Sequence, residues 1–78
     1  MGEEGFQIKY DPTDDVMYIS VGLPRPAITI EQGEGVFLRV DPDTGEFLGA
    51  TIVGFREMFQ TDPGRQVNLP VLGRKFAT

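Results

Sequence analysis

Phe6-Gln7-Ile8-Lys9-Tyr10 alternates apolar and polar side chains with period two, the pattern of a strand buried on one face. Asp11-Pro12-Thr13-Asp14-Asp15 supplies turn chemistry, because proline presets φ and Asx side chains bond nearby backbone amides. Val16 to Val21 follows as a second strand. It is apolar on nearly every position of both alternating sets, which places it inside a sheet and not at an edge. Gly22-Leu23-Pro24-Arg25-Pro26 forces an extended connection, since neither proline fits a helix interior. Ala27 to Glu31 reads as a third strand, with Ile28 and Ile30 on one face, and Val36 to Val40 as a fourth after the glycine-containing Gln32-Gly33-Glu34-Gly35. Asp41-Pro42-Asp43-Thr44-Gly45 fits a hairpin loop in which Pro42 takes the first corner and Gly45 a positive φ. Glu46 to Val53 makes the fifth strand, where Gly49 marks a bulge or a close backbone approach. Phe55, Met58 and Phe59 then recur at i, i+3 and i+4, the apolar face of a short helix over 55–60 that Thr61-Asp62-Pro63-Gly64 terminates.

These elements predict a mainly β (α+β) fold, a four- or five-stranded antiparallel meander with one short C-terminal helix. Residues 1–60 form a single β-rich domain and 61–78 an extended or partly disordered tail. Strands two, four and five are apolar on both alternating sets, and one short helix cannot cover a whole sheet, so a monomer leaves apolar surface in water. The expectation is a homodimer. Its predicted seam uses Phe55, Met58 and Phe59 of the helix with Val67, Leu69, Val71 and Leu72 of the tail.

Size points the same way. A chain of 78 residues buries only about 60% of its unfolded surface, and this one has no Cys or His for a disulfide or a thiolate or imidazole metal site. The same absences remove imidazole bases, thiolate nucleophiles and serine–histidine triads. Twelve acidic against seven basic side chains give a net charge of −5. Residues 1–49 carry ten acids against three bases and residues 50–78 two against four, so an acidic body bears a mildly basic tail. Duplex nucleic acid needs a clustered basic footprint, which this balance argues against. Met1-Gly2-Glu3-Glu4 begins no signal peptide and no apolar run spans a membrane, so the expectation is a soluble, cytoplasmic chain with no membrane partner.

The remaining chemistry lies in carboxylates. Asp41 and Asp43 have the spacing that opens a calcium loop, but Gly45 and Ile52 stand where further ligands belong. Asp11, Asp14 and Asp15 form a second acidic turn whose plainer reading is a solvated loop. Glu31 with Glu34, or Asp41 with Asp43, would serve glycoside hydrolysis only across a cleft with one pKa raised by burial. Gly33-Glu34-Gly35 lacks the third glycine and the helix of a dinucleotide fingerprint. Ser20 has no histidine to activate it, and Lys9 needs a desolvated pocket to become a base. Tyr10 and Tyr18 offer a stacking platform, against the simpler role of packing the sheet with their hydroxyls at its margin. No residue is singled out as catalytic, cofactor-binding or metal-ligating. The expectation is a non-catalytic interaction module that masks a small basic partner; the alternative is a small hydrolase or cation-binding protein using the turn carboxylates.

Tyr10-Asp11-Pro12, Asp15-Val16-Met17-Tyr18-Ile19, Gly35-Val36, Val40-Asp41, Asp43, Gly45 and Leu48-Gly49-Ala50-Thr51-Ile52 together resemble the uncharacterised family DUF2283. The resemblance runs from about Phe6 to Val53. Thr51 stands where that family commonly has glutamate, and the chain beyond Gly54 lies outside its common core. The resemblance implies a small, mostly antiparallel β domain with a short helix, and a regulatory, antitoxin-like partner role.

Overall fold

The computed structural model describes residues 5–69, without the Phe6 side chain. Five strands, β1 (Phe6–Asp11), β2 (Val16–Val21), β3 (Ile28–Gly33), β4 (Val36–Val40) and β5 (Phe47–Val53), precede the helix α1 (Phe55–Thr61). Every pairing is antiparallel, in one sheet of order β1-β2-β5-β4-β3. The mainly β architecture with a single short C-terminal helix is the expected one. Chain order is followed within β1–β2 and within β3–β4–β5. The two pieces join where β5 pairs with β2, so the Pro24/Pro26 connection carries the chain to the far edge of the sheet. β2 is therefore interior and β5 central. Five of the seven β5 residues are buried, consistent with a strand flanked on both sides.

The register aligns Ile19 with Ala50 and Leu38 in one row, and Met17 with Ile52 and Val36 in the next. These rows form the core face, where Leu38 and Ala50 are wholly inaccessible. Burying a side chain the size of Leu or Ile contributes about 1.5–3 kcal/mol each. α1 lays Met58 into this cluster, with Phe55 and Phe59 packed against it, which accounts for their helical spacing. Val67 and Leu69 pack on the same cluster. The tail is held there by Gln32, the extra residue in β3 at the register shift between Glu31 and Gly33, whose Nε2 donates to the Asn68 carbonyl at 3.1 Å. Val71 and Leu72 lie outside the described residues.

Of the two alternatives expected at Gly49, a bulge or a close backbone approach, the second holds at Gly49 and the first at its neighbour Leu48. Arg39 pairs with Gly49 but Val40 pairs with Phe47, so Leu48 is an extra, bulged residue. Gly49 itself sits where neighbours approach closely: a Cβ there would come within 2.5 Å of the Ile19 carbonyl oxygen and collide with the Arg39 guanidinium.

Candidate functional site

The two acidic turns are one loop built twice. Asp11 Oδ1 accepts the backbone N–H groups of Thr13 at 3.0 Å and Asp14 at 3.4 Å. Asp41 Oδ1 accepts those of Asp43 at 2.8 Å and Thr44 at 3.0 Å. Each proline thus sits at the corner of an Asx-stapled turn. The fifth position is left-handed in both, Asp15 at φ 58° and Gly45 at φ 77°. Arg25, from the β2–β3 connection, ties down the second loop through Asp41 Oδ2 at 3.2 Å and Glu46 Oε1 at 3.0 Å.

Asp15 does more than turn the chain. Its carbonyl accepts the N–H groups of Gly54 at 2.8 Å and Phe55 at 3.1 Å. Its carboxylate accepts those of Arg56 at 2.8 Å and Glu57 at 3.2 Å. Helix N-termini leave their first N–H groups without intrahelical partners, and the Gly54 cap residue has no side chain to serve them. One residue of the β1–β2 turn therefore caps α1 from 39 to 42 positions upstream. The Tyr10 hydroxyl donates to the same carboxylate at 2.6 Å, while its ring meets Phe55 edge-on at 5.8 Å between centroids. Phe55 meets Phe59 in the same way at 5.2 Å.

These bonds set the local acidities. The Tyr10 hydroxyl bond, then the Arg56 amide, holds Asp15 below the usual carboxylate range. The bond to Asp15, then burial, pushes Tyr10 up. The amides of Thr44 and then Asp43 hold Asp41 down. A carboxylate kept ionised by backbone amides is suited to stapling and ill suited to acid catalysis, which needs the opposite shift.

The other candidate residues are dispersed. Glu34 lines an open groove of about 320 Å³ with Glu57, Met58 and Arg65, and Glu31 is not among its lining residues. Asp41 and Asp43 share one tight turn. Among the described residues no group of three or more Asp or Glu side chains is arranged to hold a metal ion. Lys9 is exposed. Ser20 lies beside Arg39, whose Nη2 crosses Gly49 to reach the Ile19 carbonyl at 3.3 Å and Ser20 Oγ at 3.5 Å. A cavity of about 110 Å³ adjoins them, walled by Val21, Leu23 and Leu48. Tyr10 and Tyr18 occupy opposite faces of the sheet and form no common platform, because Tyr10 pairs with core-facing Met17 while Tyr18 pairs with Lys9. Of the expected seam residues, Met58 is buried within the protomer and Phe55, Phe59, Val67 and Leu69 are half-buried against its core.

The apolar surface that the sequence leaves uncovered is the sheet face opposite the core, and the row of residues across it is what sequence reasoning missed. Lys9, Tyr18, Thr51, Phe37 and Glu31 stand in one row across all five strands. Tyr18 is 39% and neighbouring Val53 46% exposed, whereas α1 and the packed tail residues lie on the other face. The sequence held a signal for it in the apolar residues on both alternating sets of β2, β4 and β5.

The capping loop, the second Asx turn and the Gly49 crossing all fall within residues 7–56, which match the family described as a protein of unknown function, DUF2283. The chain belongs to this family. No curated protein and no solved structure matches the chain. In this DUF2283 protein the family-matching residues Tyr10, Asp11, Pro12 and Asp15 build the turn and the helix cap, and Gly49 admits the Arg39 crossing. They specify the fold. No helix among the described residues is long and apolar enough to cross a membrane.

Proposed function

We propose that this DUF2283 protein is a small, non-catalytic, cytoplasmic interaction module that associates as a homo-oligomer and acts as a regulatory, antitoxin-like partner of a small basic protein. The observation that carries the reading is the uncovered sheet face, with Tyr18, Phe37 and Val53 on it, in a molecule whose Asp11, Asp15 and Asp41 carboxylates accept its own backbone N–H groups. Tyr18 is exposed and Phe37 half-buried on this face, and aromatic residues on an uncovered surface are the usual raw material of protein contacts. The net charge of −5 supports a basic partner, since complementary charge raises association rate and selects against wrong partners. The hydrolase and cation-binding reading gains no such support, because Asp11, Asp15 and Asp41 are engaged in turns and a cap.

Native mass spectrometry of the protein gently isolated from its own cells tests this. The expected spectrum shows additional protein subunits on the wild type and their loss from Phe37→Asp. A bare monomer, or a retained metal ion or small organic molecule, contradicts it.

A further inference from the structure

We infer that the uncovered sheet face pairs with a second copy of the same face, about a two-fold axis running along β5 through Thr51. This deepens the interaction-module reading and rests on it for the use of that face. The row on the face reads Lys9, Tyr18, Thr51, Phe37, Glu31, each directly opposite the next on the neighbouring strand. It has opposite charges at its two ends, an aromatic ring inside each end, and a small side chain in the middle. β5 is the third of five strands, so rotation about it reverses the row and keeps its position along the strands.

The reversed row is complementary to the original. Lys9 comes over Glu31 of the partner subunit, Tyr18 over Phe37 of the partner subunit, and Thr51 beside Thr51 of the partner subunit. Sheets packed face to face lie about 10 Å apart with interdigitating side chains, a gap that two aromatic rings fill while Thr51 keeps the axis open. Stacking without the reversal would set Lys9 on its own copy and Glu31 on its own copy. A uniformly basic partner on this face would be drawn to Glu31 and repelled by Lys9. The face is thus complementary to itself, the condition for an isologous contact. Five strands about 4.8 Å apart, each about 20 Å long, make a small patch. That size puts the contact among reversible associations, with the exposed ion pairs fixing register more than affinity.

Sedimentation equilibrium of the full chain over a concentration series tests the pairing. The wild type is expected to show a monomer–dimer equilibrium. Lys9→Glu or Glu31→Lys alone turns two attractions into two repulsions and weakens the dimer roughly tenfold at low salt. The double reversal restores it, because the reversed row is again complementary. All four side chains involved are outside the core, so circular dichroism should report an unchanged fold. A dimer indifferent to the single reversals, or a double reversal as weak as the singles, overturns the pairing and leaves homo-oligomerisation through another surface standing. A chain that stays monomeric throughout overturns both the pairing and homo-oligomerisation. Loss of a foreign protein from Phe37→Asp in such a monomer assigns the face to that partner.

Discussion

The Tyr10 hydroxyl donates a 2.6 Å hydrogen bond to the Asp15 carboxylate, which at the same time accepts the N–H groups of Arg56 and Glu57. A turn residue thereby fastens the helix to the sheet. α1 has seven residues, too few to persist in water unaided, so its place depends on this cap and on the burial of Met58. Asp15 bears a left-handed φ of 58°, a conformation that suits glycine and that the twin loop gives to Gly45. The carboxylate is what a glycine at position 15 would lack.

Asp15→Gly is accordingly expected to destabilise the protein even though it removes backbone strain. Asp15→Ala, which keeps the strain and loses the acceptors, should have the lowest melting temperature. Asp15→Asn, with one acceptor oxygen and tolerance for the left-handed region, should fall between Asp15→Gly and wild type. Asp43→Ala, whose side chain staples nothing in either loop, serves as the near-neutral control. Thermal melting ranks all four.

Acid should act through the same group. Asp15 and Asp41 are held below their ordinary value of 3.8, so their contribution is fully present above that pH and is lost as pH falls through their lower folded values. Tyr10 is raised above 10.0, so its contribution is present below pH 10 and is lost as pH rises through its higher folded value. A melting-temperature profile should therefore droop below about pH 4 and above about pH 10. Tyr10→Phe should remove most of the alkaline droop, and Asp15→Asn part of the acidic one.

Gly49→Ala brings a methyl group against the Ile19 carbonyl and the Arg39 guanidinium. Overpacking of this kind costs about 1–3 kcal/mol, a fall in melting temperature of roughly 4–8 °C per kcal/mol in a domain of this size. Combining it with Arg39→Ala should recover only part of the loss, because the backbone carbonyl of Ile19 stays in place. A double-mutant cycle by chemical denaturation measures the recovered share.

Millimolar calcium or magnesium should leave the melting temperature unchanged. Asp11 Oδ1, Asp41 Oδ1 and both Asp15 carboxylate oxygens already accept backbone N–H groups, and among the described residues no group of three or more Asp or Glu side chains is arranged to hold a metal ion. A specific site would raise the melting temperature by mass action, and differential scanning fluorimetry detects that directly.

Much of the fold is legible in the chain because its signals are local. Period-two alternation in β1, the Asp-Pro turns and the 55, 58, 59 spacing each report a few neighbouring residues. The central place of β5 is not local. It follows from the pairing of β5 with β2, foreshadowed only by the apolar run from Phe47 to Val53 interrupted at Gly49. Asp15 looks like one of three acidic loop residues until residue 56 is brought beside it, and its left-handed φ is hidden because the sequence carries no glycine there. The uncovered face was visible as an excess of apolar positions. Its row is not, since the matching of Lys9 to Glu31 across the sheet requires four strand registers at once.

A dilution series of two-dimensional amide spectra measures the central claim most directly, that the molecule associates through the face bearing Tyr18, Thr51 and Phe37. As concentration rises, the amides of those three residues and of Lys9 and Glu31 should shift together along a single binding curve, while those of Met58 and Val67 stay fixed. Shifts confined to residues 55–59 and 67–69, or no shift at any residue, would contradict it.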